Sequence, residues 1–83
     1  MAKTTVAFRD GYTRKVGGEH YEYEAVYAPG PRLQWHASIF RDGVRKGSVG
    51  GIRHDNRLDG ERLRQEVATM IEVAIEGLQG IHE

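Results

Sequence analysis

Hydrophobic and polar residues alternate along two neighbouring segments of the chain, 19–28 and 33–41. Successive side chains of an extended strand point to opposite faces, so each segment gathers its apolar residues on one face. The residues on these faces are Tyr21, Tyr23, Ala25 and Tyr27 in the first segment and Leu33, Trp35, Ala37 and Ile39 in the second. The alternation therefore predicts two antiparallel strands, joined by a turn at the Pro-Gly-Pro sequence of residues 29–31.

Two further strands complete the predicted sheet. A run of β-branched and aromatic residues predicts a first strand at about 4–8, followed by a glycine-punctuated loop that ends at Gly18. The pair Asp42-Gly43 is favoured in tight hairpin turns because it tolerates left-handed backbone angles. It therefore predicts a fourth strand at about 44–52.

A specific register follows if the apolar faces of the two alternating segments coincide. Trp35 is then expected opposite Ala25, and Glu24 opposite His36 on the other face. For the fourth strand, a two-residue turn and a bulged three-residue turn place opposite sets of side chains on the core face. We favour the bulged turn, because it brings Val49 opposite Trp35.

The last quarter of the chain changes its period to three or four residues. The apolar positions with this spacing are Leu63, Val67, Met70, Ile71, Ala74 and Leu78. They predict an amphipathic helix at about 57–79, with Asn56 or Asp59 as its N-cap. Gly80 followed by Ile81 is typical of a left-handed helix stop with an apolar contact behind it.

These elements predict one domain over residues 1–83, of the α+β class. Its architecture is a single antiparallel sheet of about four strands, in the order β-β-β-β-α, with the C-terminal amphipathic helix packed on one face. The helix needs an apolar surface to cover its stripe, and the face that carries the tyrosines and Trp35 is the wide one available. The tyrosine row is therefore predicted to be core, in preference to a solvent-facing stacking platform or a partner-binding patch.

Composition excludes several classes of protein. The 83 residues contain no cysteine, which removes disulfides and thiolate metal sites and favours a reducing, cytoplasmic location. No segment is apolar enough to predict a signal sequence or a membrane span. No motif predicts a cofactor, a small-molecule substrate or contact with a membrane.

Charge is balanced overall but uneven along the chain. Net charge is zero, with 12 basic and 12 acidic side chains, which disfavours a strongly electrostatic nucleic-acid binder. The basic residues gather around 41–57, where they form a candidate nucleic-acid or anion contact together with one aromatic ring. This candidate site consists of Phe40, Arg41, Arg45, Lys46, Arg53 and Arg57.

The sequence supports metal binding and catalysis less than it supports the nucleic-acid or anion contact. His20, Glu24 and His36 fall on the polar face of the two alternating strands, and imidazole and carboxylate groups can ligate zinc. Such pairs are also ordinary on solvated sheets, so the preferred prediction is no metal site. His54 and Asp55 are adjacent and point apart, and no serine lies in a nucleophile motif, so the chain is predicted not to be an enzyme.

The sequence favours a small interaction module, which self-associates or binds another protein. Val73 and Ile75 lie at or beyond the margins of the helical stripe, where they suit a homodimer interface. The alternative is a nucleic-acid-binding domain that uses the basic 41–57 region. The predicted layout is similar to that of small nucleic-acid-binding domains, including single-stranded-DNA binders that dimerise through the helix, but no matching motif accompanies this likeness.

Overall fold

The computed structural model describes residues 4–82 and contains one sheet and one helix in that range. The elements are β1 (Val6–Thr13), β2 (His20–Ala28), β3 (Leu33–Arg41), β4 (Val44–Arg53) and α1 (Gly60–Glu76). The four strands pair antiparallel with their neighbours in the order β1-β2-β3-β4. The predicted fold class, α+β with the order β-β-β-β-α, is confirmed.

The core lies between the sheet and α1. Tyr21 and Tyr23 are 0% and 1% exposed, and the alternation of β2 continues through the buried Ala25 and Tyr27. The helix contributes its buried stripe, which is Leu63, Val67, Ile71, Ala74 and Ile75. The tyrosine row is therefore core, as predicted, because it is the apolar surface that the helix covers. We call this side of the sheet the inner face and the opposite side the outer face.

β1 is longer than the predicted strand at 4–8. It continues through Arg9, Asp10 and Gly11 to Thr13, and the turn to β2 is closed by a hydrogen bond from the Arg14 amide to the Glu19 carbonyl, 2.8 Å long. Asp and Gly have low strand propensity, which predicted a loop here. Pairing along the full length of β2 overrides that local preference.

The predicted register of β2 and β3 is wrong by two residues, although the face of each residue is right. Trp35 lies opposite Tyr27 rather than Ala25, and His36 lies opposite Val26 rather than Glu24. Ala28, the last residue of β2, pairs with Gln34 of β3. A shift of two preserves the alternation of faces, and hydrophobic pattern alone therefore cannot detect it.

The bulge in β4 lies within the strand instead of in the turn. Asp42-Gly43 forms a two-residue turn, and the register then shifts at Lys46, which has no partner position on β3. The shift places Val49 on the inner face, as predicted, but opposite Ala37 and not Trp35. Gly47 follows the bulge, and a methyl group there would overlap the carbonyl oxygen of Gly80.

The helix is shorter than the predicted 57–79. Asp59 occupies the N-cap position without a side-chain capping bond, whereas the Asn56 side chain bonds the carbonyls of Gly30 and Leu58. The helix ends at Glu76 with Gly77 as its C-cap, and the chain then turns so that Ile81 packs into the core beside β4. The predicted apolar contact of Ile81 is present, although the helix stops before Gly80.

Candidate functional site on the outer face of the sheet

No element of residues 4–82 covers the outer face, and the strand registers arrange its side chains in four rows. Each row crosses the strands from β1 to β4. The rows are Thr5-Ala28-Gln34-Ile52, Ala7-Val26-His36-Gly50, Arg9-Glu24-Ser38-Ser48 and Gly11-Glu22-Phe40-Arg45. Thr5 is placed in the first row because it directly precedes β1.

The outer face divides into two halves of different character. The first two rows carry no Asp, Glu, Lys or Arg, and their large apolar side chains, Val26 and Ile52, are 45% and 51% exposed. Residues of these rows line a shallow depression that includes His36 and Gly50. We call the eight residues of the first two rows the neutral patch, and those of the other two rows the charged half.

The charged half is held by contacts within the sheet. Arg9 and Glu24 form a cross-strand ion pair of 2.9 Å, with side chains 81% and 48% exposed. Beyond the fourth row, the Thr13 hydroxyl lies 2.8 Å from Nδ1 of His20. Exposed ion pairs of this kind contribute little to stability, because water solvates both charges before they meet.

Each edge of the sheet has backbone groups that are already bonded and are therefore not free to pair with a further strand. On β1, the Gly11 amide bonds the carboxylate of the preceding Asp10 at 2.8 Å, so this amide is not free for another chain. On β4, Ile81 bridges Gly47 and the His82 amide donates to the Lys46 carbonyl at 2.8 Å. The C-terminal segment thereby covers that edge at Lys46 and Gly47, and the outer face is a broad surface that no element of residues 4–82 covers.

The outward side of α1 offers less apolar surface than predicted. Ile75 was expected at the margin of the helical stripe but is 0% exposed and belongs to the core, so that expectation is wrong. Val73 is 61% exposed, and its neighbours on the solvent side are polar. The helix therefore contributes a single isolated valine to any interface.

The basic residues predicted as a nucleic-acid or anion contact do not form one cluster. Phe40 and Arg45 are cross-strand neighbours on the outer face, but the Arg41 guanidinium lies 5.8 Å from the ring centre of Tyr21. Arg53 lies eight residues from Arg45 along β4, about 26 Å at the usual rise per residue. The basic residues of this set therefore lie at two opposite ends of the sheet.

The remaining members of that set have separate surroundings. Arg53 bonds Glu66 of α1 at 2.6 Å, which ties the end of β4 to the helix. Arg57 is exposed in the segment between β4 and α1, and Lys46 lies at the bulge. The residue set stays a prediction, with Phe40 and Arg45 as its adjacent pair.

The candidate metal ligands are also separated. His20 and Glu24 lie four residues apart on β2, about 13 Å along the strand. His36 is opposite Val26 and diagonal to Glu24. In residues 4–82, no three His, Cys, Asp or Glu side chains are grouped so as to hold a metal ion.

Sequence reasoning did not single out the neutral patch. Val26 was visible as an apolar residue among the acidic positions of β2, but Ile52 and Gly50 join it only through the register of β3 and β4. The information needed to find the patch was the register of the strands, because its residues are brought together from all four strands of the sheet.

Comparison of the chain with protein-family models, curated proteins and solved structures found no match. Within residues 4–82, α1 is too short and too rich in charged side chains to cross a bilayer.

Proposed function

We propose that this protein is a small, non-enzymatic interaction module that self-associates through the neutral patch of its outer sheet face. The main support for this proposal is that Val26 and Ile52 are both exposed on the same uncovered face of the sheet. The other large exposed hydrophobic residues among residues 4–82 lie on three different segments: the β1–β2 turn, the start of β4 and the helix. These are Val16, Val44 and Val73.

Partial engagement of the two sheet edges favours a contact through the outer face over strand addition. Strand addition would need free backbone groups, and the Gly11 amide, the Lys46 carbonyl and the Gly47 position are already engaged. The inner face is occupied by α1. A contact between copies through the outer face uses the surface that remains and shields its apolar side chains from water.

The size of the neutral patch determines how tightly the two copies are expected to bind each other. Four strands about 4.8 Å apart and two rows about 6.6 Å apart span roughly 250 Å² in projection. A standard stable interface buries about 800 Å² on each partner. The dimer is therefore expected to be weak, with dissociation constants in the micromolar to millimolar range.

Analytical ultracentrifugation tests the proposal with Val26→Glu and the matched variant Val73→Glu. Both variants place a carboxylate at an exposed valine, but only the first lies in the neutral patch. We expect the average mass of the unmodified protein and of Val73→Glu to rise with concentration, and Val26→Glu to remain a monomer. A monomer at every concentration up to about 1 mM, or equal effects of the two variants, overturns the proposal.

A nucleic-acid-binding function is the second candidate, and one observation favours it. Phe40 and Arg45 are neighbours on the outer face, where a ring and a guanidinium can stack on a base and contact a phosphate. Zero net charge and the carboxylates of Glu22 and Glu24 on the same face oppose it. Fluorescence anisotropy with single-stranded oligonucleotides at low salt decides the matter, with Arg45→Glu as the variant that should weaken binding.

A further inference from the structure

The two rows of the neutral patch are complementary to each other in size. On β4, the large Ile52 of the first row neighbours Gly50 of the second, and on β2 the small Ala28 neighbours the larger Val26. On β3, Gln34 and His36 are both polar and able to hydrogen-bond. Each of these strands therefore offers a large and a small apolar position, or two polar positions, in adjacent rows.

A two-fold axis that exchanges these rows makes the patch complementary to itself. An isologous interface uses the same surface on both copies, so a residue of one row meets the other row of the partner. With the axis across the strands and between the two rows, Ile52 faces Gly50 of the partner subunit. Val26 in the same way faces Ala28 of the partner subunit, and sheets packed face to face lie about 10 Å apart.

We infer that the partner at the neutral patch is a second copy of this chain, related by a two-fold axis that runs across the strands between the rows of Ile52 and Gly50. This inference rests on the proposed function, because it specifies how the self-association takes place. The charged halves of the two sheets then extend in opposite directions, away from the contact.

The charges at the border of the contact are complementary. Beyond the first row lies the β2–β3 turn, where Arg32 is exposed and has no ion-pair partner among residues 4–82. The proposed axis superposes this turn on the third row of the other copy, which carries Glu24. Glu24 is half exposed beside Arg9, so it retains carboxylate surface for Arg32 of the partner subunit.

A two-fold axis parallel to the strands is less favourable. It would superpose the complete outer faces and bring Glu22 and Glu24 into the middle of the contact, opposite Phe40 and Ser38 of the partner subunit. Glu22 has no ion-pair partner among residues 4–82, and a carboxylate buried without a partner costs several kcal/mol, as an order of magnitude. The axis across the strands leaves Glu22 in water and gives Glu24 a second cation in addition to Arg9.

Distances between spin labels separate the two arrangements. The chain has no native cysteine, so Val44→Cys provides one labelling site at the exposed start of β4. From the strand rise and the sheet spacing, the axis across the strands places the two Val44 positions about 40–45 Å apart, and the parallel axis places them less than about 25 Å apart. A double electron–electron resonance peak at the longer distance is expected, and a peak at the shorter distance overturns the inferred axis.

A charge exchange tests the contact at the border independently. Glu24→Lys should weaken the dimer by roughly three- to tenfold, and Arg32→Glu in the same chain should restore it. Glu22→Lys is the matched control, because it reverses a charge on the same strand outside the contact. Equal effects of Glu24→Lys and Glu22→Lys, or no restoration, contradict the inferred contact.

The outcomes distinguish this inference from the function on which it rests. A protein that is monomeric in sedimentation refutes both. A dimer that Val26→Glu abolishes but that shows the short label distance retains the proposed function and refutes the axis. A dimer with the long distance and a charge exchange that restores affinity supports both.

Discussion

The core tyrosines have similar burial but different surroundings at their hydroxyl groups. Tyr23 donates to the Glu72 carboxylate of α1 at 2.9 Å, and burial followed by this bond raises its pKa well above the usual value. The Tyr21 hydroxyl is buried and has no hydrogen-bond partner in the described part of the chain. A buried hydroxyl without a partner loses its bonds to water and gains none in return.

Removal of the two hydroxyl groups should therefore have opposite consequences. Tyr21→Phe is expected to leave the free energy of unfolding unchanged or to raise it by up to about 1 kcal/mol. Tyr23→Phe is expected to lower it by about 1–3 kcal/mol, because a bond to a charged group is lost and Glu72 is left without its donor. Urea denaturation at neutral pH measures both, and equal losses would show that Tyr21 has a partner in solution.

At the scale of elements, Glu76 joins the end of α1 to the β1–β2 turn. Its carboxylate accepts the Tyr12 hydroxyl at 2.6 Å and the amides of Lys15 and Val16 at 2.9 and 3.3 Å. The Tyr12 bond, followed by the Lys15 amide, lowers the pKa of Glu76 below its usual value of 4.5. A carboxylate is unfavourable at the C-terminus of a helix, so these donors must compensate for the helix dipole.

The pKa shift of Glu76 predicts a loss of stability in acid. Because the folded-state pKa lies below the unfolded value, the contribution is fully present above about pH 4.5 and disappears as the pH falls through the folded-state pKa. Glu76→Gln should lower the melting temperature at pH 7. It should also make stability depend less on pH below about pH 4.5. Glu22→Gln is the control at an exposed carboxylate, and an identical acid profile in both variants would refute the role of Glu76.

Local patterns predicted the kinds of element and missed some of their limits. The alternation in β2 and β3 and the helical spacing after Leu63 were sufficient, because amphipathic elements bury one face. The continuation of β1 through Asp10 and Gly11 was not predictable from propensity, since pairing with β2 determines it. The bulge at Lys46 likewise accompanies the close approach of the C-terminal segment to Gly47.

At the scale of the whole molecule, one helix covers one face of a four-stranded sheet. The stability of this two-layer arrangement depends on side chains that α1 places in the core, and Ile75 is among them. Val73 lies two residues earlier on the solvent side, at 61% exposure. Substitutions at these two positions therefore distinguish packing within one molecule from contacts between molecules.

This difference predicts the effect of shortening each side chain to alanine. Ile75→Ala should lower the free energy of unfolding by about 2–5 kcal/mol, because it leaves a cavity between helix and sheet. Val73→Ala should change it by less than about 0.5 kcal/mol. Urea denaturation at low protein concentration provides the comparison. A large loss for Val73→Ala would place that residue in a contact that the isolated chain does not have.

The sequence alone determined the inward faces of β2 and β3, most of the buried stripe of α1 and the order of the elements, because periods of two and of three to four residues are local properties of the chain. Ile75 is the exception, since its burial became visible only in the packed structure. The sequence also determined that the tyrosine row is core, since a single amphipathic helix requires an apolar sheet face. Tertiary structure decided the register, the dispersal of the basic residues and the assembly of the neutral patch. Val26, Ile52 and Gly50 come from different strands, and a register shift of two residues leaves every face unchanged while it alters every neighbour.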